Sequence, residues 1–142
     1  MAANPQAQSA RPRPLSPHLS IYKWPITMAT SITHRATGLA LVAGMIFLTW
    51  WLVGLASGPE VYRPFMNAAG SLIGQVVLFG FAWSLTYHFL NGVRHLMWDV
   101  GYGFAVPTAN KTGVVVIALS LLIAIGIFVA CYVAAGHGAS MP

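Results

Sequence analysis

Three stretches of this chain carry no Asp, Glu, Lys or Arg: Ala36 to Pro59, Pro64 to Val93 and Thr112 to Pro142. Each exceeds the roughly 20 apolar residues that cross a bilayer core as a helix. The pattern predicts membrane helices over about 31–55, 66–99 and 111–135, and hence an all-α integral membrane fold with three transmembrane helices. Ser57-Gly-Pro-Glu60 breaks the first from the second, with Gly58-Pro59 as a turn signal. The second is long enough to tilt or protrude. Gly101-Tyr-Gly103 and Pro107 form the return to the third, which reads as a packing and anchoring helix. Gly70-x3-Gly74 has the spacing of a close helix-packing site.

The remaining segments are short. Residues 1–17 hold Pro5, Pro12, Pro14 and Pro17 and are expected to be a flexible arm. Residues 18–30 mix Leu19, Ile21, Tyr22, Trp24 and Ile26 with Lys23 and Pro25, which suits a segment lying along the lipid headgroups. Residues 136–142 form a tail, and its His137 is assigned no role.

Composition narrows the class further. Of 142 residues, 57% are hydrophobic and 6% charged, against about a quarter charged in a soluble domain. A net charge of +5 would raise the question of nucleic acid in a soluble protein. Here it sets orientation, because Lys and Arg collect on the cytoplasmic side. With the N-terminus inside, Arg11, Arg13, Lys23, Arg35, Arg94 and Lys111 fall on or beside that face and Arg63 alone lies opposite. Cys131 is the only cysteine, so there is no intrachain disulfide and no Cys-x-x-Cys-His for covalent haem attachment. The first 20 residues lack the apolar core of a secretory signal.

Two constellations carry chemistry. Ser31, His34, Arg35 and Gly38 share one face at the start of the first span. They can hold an anionic or carbonyl-bearing ligand, with Arg suited to a carboxylate and Ser to a quinone oxygen. Equally, they form an ordinary helix start with Arg35 snorkelling to the headgroups. The second is His88 with Gly92 and His95, again on one face, the glycine removing bulk between two imidazoles. An imidazole inside a membrane helix is a functional candidate, and neutral imidazole ligates haem iron well. At about 1.5 Å per residue, His88 lies roughly 16 Å from the Asp99 end, near mid-membrane. The same arithmetic puts His34 roughly 10 Å shallower, and the third span has no histidine before His137, so a second axial histidine is expected from another polypeptide. His34, Arg35 and His95 are then better placed to meet haem propionates at the polar boundary. Asp99 has Arg94 and Lys111 as candidate partners, or is solvated. Tyr22, Trp24, Trp98 and Tyr102 read as interfacial anchors, and Trp83 as facing lipid or another helix. No Walker loop, zinc pattern or nucleophile elbow is present.

Three motifs now stand in order: Arg13-Pro-Leu-Ser-Pro17-His18-Leu-Ser-Ile-Tyr22, Ser31-Ile-Thr-His34-Arg35-Ala-Thr-Gly38, and His88-x3-Gly92-x-Arg94-His95-Leu-x-Trp98-Asp99. Together they resemble the cytochrome b membrane-anchor family of succinate dehydrogenase (succinate:quinone oxidoreductase, complex II), over residues 13 to about 135. The resemblance implies half of a two-subunit, haem-binding helical bundle, with His88 as axial ligand of haem b and the other axial histidine on a small anchor subunit. It implies that Ser31 and Arg35 belong to a ubiquinone pocket, with Leu19 and Ile32 as apolar neighbours, and that His34, Arg35 and His95 lie near the haem propionates. It implies an iron–sulfur subunit and a flavoprotein subunit as partners, electrons passing from succinate to ubiquinone, and no catalysis of succinate oxidation by this chain alone. The short stretch before Arg13 points to a bacterial inner membrane rather than a mitochondrial one. A fumarate reductase anchor is the alternative within the class; a haem-free structural anchor or small transporter is the alternative outside it.

Overall fold

A computed structural model describes His18 and residues 21–138. It contains four helices in chain order: α1 (Ile26–Ser57), α2 (Pro59–Gly70), α3 (Leu72–Asp99) and α4 (Val106–Gly138). Three of them, α1, α3 and α4, are long and apolar enough to cross a membrane. The start of α1, the end of α3 and the start of α4 lie together at one end of the bundle, and α2 lies at the other. α3 packs on both α1 and α4.

The boundaries differ from the sequence expectation in two places. The 18–30 segment is not a separate interfacial element throughout, because α1 already begins at Ile26. Pro25 (φ −71°, ψ 151°) stops the extended chain, and its carbonyl accepts from Met28 and Ala29 at 3.0 and 3.2 Å. Thr30, expected near the helix start, instead bonds back to the Thr27 carbonyl inside the first turns. The expected 66–99 helix is divided at Ser71, whose extended backbone (φ −67°, ψ 158°) separates α2 from α3. Ser71 Oγ donates to the Ala68 carbonyl at 2.7 Å and accepts from the Gly74 amide at 3.1 Å, capping α3. Gly74 therefore serves this fold-back: a Cβ there would run into the Ala68 carbonyl oxygen. That replaces its expected role in helix packing. The third helix begins at Val106, about a turn before Lys111.

Pro59 at the start of α2 and Glu60 in its first turn are ordinary N-terminal signals. Twelve residues rise only about 18 Å, too little to span the bilayer. Tyr62, Phe65 and Ala69 of α2 are half-buried, while Glu60, Arg63 and Asn67 are exposed. Phe65 meets Trp50 of α1 edge-on at 5.2 Å between ring centroids. Gly58 turns the chain between the two helices at φ +96°, where a side chain would be strained.

The interior inverts that of a soluble bundle. Among the described residues, the buried polar set is Thr30, Thr37, Ser84, Asn91, Arg94 and Ser120, and the buried apolar set only Tyr87, Ala109, Val116 and Ala124. Leu39, Ile46, Leu72, Ile73, Leu122 and many like them are exposed, as suits lipid outside. Helices in a membrane gain little from hiding apolar surface against each other, so small residues and interhelical hydrogen bonds hold them. Thr30, Thr37 and Gly44 recur every seven residues on the α1 face toward α3. A Cβ at Gly44 would overlap the Phe81 ring, so this glycine sets the α1–α3 approach. Ala109, Gly113, Val116, Ser120 and Ala124 make the matching small face of α4. Thr86 of α3 lies 3.1 Å from the Ser120 carbonyl of α4.

Gly44→Leu is expected to destabilise the detergent-solubilised protein by about 1–3 kcal/mol, read as a lower thermal midpoint. Gly70→Ala is the control: a Cβ there meets nothing within 4 Å, and the midpoint should stay within about 0.5 kcal/mol of wild type.

Candidate functional site

Two turns of α1 and three of α3 bring the sequence candidates together at the end of the bundle where α1 begins. Three imidazoles form a column. The His34 ring stacks on His88 with centroids 3.9 Å apart and planes 12° from parallel, and on His95 at 5.2 Å and 17°. His95 meets Trp98 at 5.0 Å, which extends the column toward the helix end.

This overturns the depth argument that set His34 about 10 Å from the level of His88. Because α1 starts at Ile26, His34 lies eight residues into its helix rather than at its edge. At about 1.5 Å per residue that is roughly 12 Å, against roughly 16 Å for His88 measured from Asp99. The rings span the remainder. The stacking has its own consequence. The nitrogen lone pairs of an imidazole lie in the ring plane, so two parallel rings face to face do not aim them at one atom between them.

His88 is held at one nitrogen. Its Nδ1 lies 3.2 Å from the His34 carbonyl oxygen and 3.3 Å from Thr37 Oγ1. A carbonyl only accepts, so Nδ1 is the donor here, and in the neutral ring this leaves the lone pair on Nε2. Thr37 Oγ1 is itself 2.9 Å from the Thr33 and His34 carbonyls, to which it donates, and so can accept from His88. Gly38 makes room: a Cβ there would sit 3.2 Å from His88 Cε1. Over Gly92, between His88 and His95, a Cβ would meet nothing within 4 Å. His95 Nδ1 likewise donates to the Asn91 carbonyl at 2.7 Å. His34 Nδ1 is buried without a hydrogen-bond partner.

Beside the column, an open cleft of about 350 Å³ lies between α1 and α3, lined by Thr27, Met28, Thr30 and Ser31 with Arg94, His95 and Trp98. Of the residues expected for a quinone pocket, Ser31 lines this cleft. Ile32 is 42% exposed and Arg35 is exposed, and neither lines it. Leu19 lies outside the described residues.

Sequence reasoning missed the polar scaffold under the cleft. Tyr87 Oη donates to the Thr30 carbonyl at 2.8 Å. Arg94 donates to Thr112 Oγ1 at 3.0 Å, Asn91 Oδ1 at 3.3 Å, Thr30 Oγ1 at 3.5 Å and the Ala109 carbonyl at 2.7 Å. Its guanidinium carbon lies 4.1 Å from the Trp98 ring centroid, a cation–π contact. Among the described residues Asp99 pairs with neither Arg94 nor Lys111 and is exposed. The available signal was the spacing of Ser84, Tyr87, Asn91 and Arg94 along one face of α3.

Over residues 9–127 the sequence matches the family described as succinate dehydrogenase/fumarate reductase transmembrane subunit. The chain belongs to this family. Its relatives include the succinate dehydrogenase cytochrome b556 subunit of Paracoccus denitrificans, 43% identical over 113 residues, covering 80% of this chain and 87% of that protein. The cytochrome b556 subunit of Rickettsia felis is 43% identical over 111 residues, covering 78% and 86%. The mitochondrial cytochrome b560 subunit of Sus scrofa is 39% identical over 117 residues, covering 81% and 69%. The three long apolar helices agree with a transmembrane subunit of this family.

In this transmembrane subunit the Tyr87–Thr30 bond fixes the α1 wall of the cleft. Tyr87→Phe is expected to cost about 0.5–1.5 kcal/mol, measured as a lower unfolding midpoint on titration of the solubilised protein with a denaturing detergent.

Proposed function

We propose that this chain is the membrane-anchor cytochrome b subunit of a bacterial succinate dehydrogenase, binding haem b and ubiquinone and passing electrons from succinate oxidation to the quinone pool. The observation that carries the reading is the His88 ring, whose Nδ1 is held by the His34 carbonyl and Thr37 hydroxyl, so that in the neutral ring the lone pair is on Nε2. Such pinning of one imidazole nitrogen is the usual support of a metal-ligating histidine. The open surface over Gly92 and the unpartnered His34 Nδ1 suit a flat ligand with polar edges. The names of the relatives, cytochrome b556 and b560 subunits, agree with haem as that ligand.

In this reading His88 is the axial ligand on this chain, and a small anchor subunit supplies the second histidine, since the ring of His34 lies face to face with His88. His34 and His95, with Arg35, serve the propionates. The bound haem supplies a one-electron carrier. Ubiquinone enters the cleft, where Ser31 donates to a ring oxygen; the resemblance adds Arg35 to the same pocket, to orient the quinone with Ser31 and stabilise negative charge on it, and Leu19 and Ile32 as apolar neighbours. A hydrogen bond to an oxygen that gains negative charge on reduction strengthens as the charge develops.

Arg35, Arg94 and Lys111 lie toward the bundle end that carries this site, while Arg63 lies on α2 at the other. By the bias of basic residues this end faces the cytoplasm, with the N-terminus inside a bacterial inner membrane. The iron–sulfur and flavoprotein subunits dock there. This chain binds and positions; it does not oxidise succinate alone. The relatives named above are all succinate dehydrogenase subunits, which favours this direction over a fumarate reductase anchor.

His88→Ala should abolish or shift the b-type α-band in reduced-minus-oxidised spectra of membranes, and an unchanged band would remove His88 as the ligand. Ser31→Ala should lower quinone reduction at least about tenfold while sparing electron transfer from succinate to an artificial acceptor. Equal loss of both activities would mean an assembly defect instead.

A further inference from the structure

The end of the bundle away from the imidazole column carries a pair of charges of its own. Between Ala36 and Val93, and from Thr112 onward, Glu60 and Arg63 are the only Asp, Glu, Lys or Arg in the chain. Both stand on α2, and both are exposed. One turn of helix separates them, which puts their Cβ atoms roughly 5–6 Å apart. They form no ion pair with each other, and neither side chain bonds another described residue. Tyr62, Phe65 and Ala69 are the half-buried face of α2, and Glu60, Arg63 and Asn67 stand on the opposite side. A helix of this kind, apolar on one side, charged on the other and too short to span, lies along a bilayer surface. Arg63 also borders a hollow. An open space of about 300 Å³ lies in the corner between α1 and α2, lined by Leu55, Gly58, Pro59, Tyr62 and Arg63. Apart from the guanidinium and the Tyr62 phenol, its side chains are apolar.

We propose that this corner binds one phospholipid whose headgroup carries both a phosphate and a primary ammonium, a lipid of the ethanolamine class. An acyl chain lies in the hollow against Leu55 and Pro59. The phosphate meets Arg63, whose planar fork of donors matches two phosphate oxygens, with the Tyr62 hydroxyl as a further donor. The ammonium, two carbons further out, meets Glu60. The charges choose among lipids. One acid and one base leave this end without net charge, so a net-anionic headgroup gains at Arg63 and loses at Glu60. A quaternary ammonium has no N–H to give to Glu60. A headgroup with both charges and a free N–H satisfies the two residues together. Either contact alone is weak in water. They act jointly because one helix sets their spacing and the hollow holds the chain. Neither haem nor quinone enters this site.

The test uses the complex purified in mild detergent with the chains that accompany it, washed free of lipid. Native mass spectrometry then follows the binding of three dioleoyl lipids: phosphatidylethanolamine, phosphatidylcholine and phosphatidylglycerol. Lipids held elsewhere on the complex bind alike in every variant, so the differences between variants report this corner. Arg63→Gln should weaken the binding of one phosphatidylethanolamine at least about tenfold, equivalent to about 1.4 kcal/mol. Glu60→Gln should weaken it by a similar factor, with phosphatidylglycerol bound no less tightly than by wild type. Asn67→Ala, on the same face of α2, should leave all three lipids within about twofold of wild type. Unchanged phosphatidylethanolamine binding in either charge variant overturns the proposal. So does an equal or larger loss of phosphatidylglycerol in Arg63→Gln, which would make this a site for anionic lipid. An equal loss of phosphatidylcholine in Glu60→Gln also overturns it, because the primary ammonium would then have no part in recognition. Should Arg63→Gln fail to assemble, Glu60→Gln decides alone by the same criteria.

Discussion

A guanidinium carried into the bundle interior by α3 must find its partners there, because lipid offers none. Arg94 finds them on three helices: Thr30 on α1, Asn91 on its own helix, and Ala109 and Thr112 on α4. Unpaired polar groups in a hydrocarbon surround cost several kcal/mol each. That cost makes the placement of α1 and α4 at this end of the bundle depend on one side chain. Elsewhere the same need is met by smaller groups. Tyr87 reaches the Thr30 carbonyl, and Thr86 and Ser120 bring hydroxyls against backbone carbonyls. The apolar residues contribute little to this choice, since lipid receives them as readily as a neighbouring helix does.

The scaffold and the site are adjacent strips of one helix. Ser84, Tyr87, Asn91 and Arg94 form the buried strip of α3. His88 and His95 lie one residue further round the turn, half-buried beside it. Asn91 serves both strips, its side-chain oxygen accepting from Arg94 and its backbone carbonyl from His95. A change that loosens the interior therefore displaces the imidazoles, because Asn91 ties the half-buried strip to the buried one.

Much of this was legible in the chain. Three charge-free stretches were enough to give three membrane helices, because the bilayer sets a length that few other structures require. Ser31, His34, His88 and His95 stood out because polar and imidazole groups near an apolar span need a reason. What the chain did not disclose were distances that depend on where helices start and how they register. Placing the start of α1 near Thr30 instead of Ile26 shortened its inner end by more than a turn and separated His34 from His88. Gly70-x3-Gly74 fits a packing motif and a fold-back equally well, and only the cap made by Ser71 distinguishes them. The role of Arg94 was hidden for a related reason. Its farthest partner, Thr30, lies 64 residues away in sequence, and hydroxyls and carbonyls carry no charge pattern to follow.

The register of α1 links the two parts of the site. Thr30 and Ser31 line the cleft, while the His34 carbonyl and Thr37 hydroxyl hold His88 less than two turns later. Gly38 and Gly44 bring this stretch close to α3, against His88 and Phe81. One residue of slip along the axis is about 1.5 Å and turns every side chain by about 100°. It would take Thr30 away from Tyr87 and Arg94, and Thr37 away from His88, in the same movement. The cleft and the imidazole column thus cannot be adjusted separately through α1. A ligand that draws Ser31 toward it must work against the bonds that hold His88, which couples the geometry of the two sites through a rigid segment of eight residues, Thr30 to Thr37.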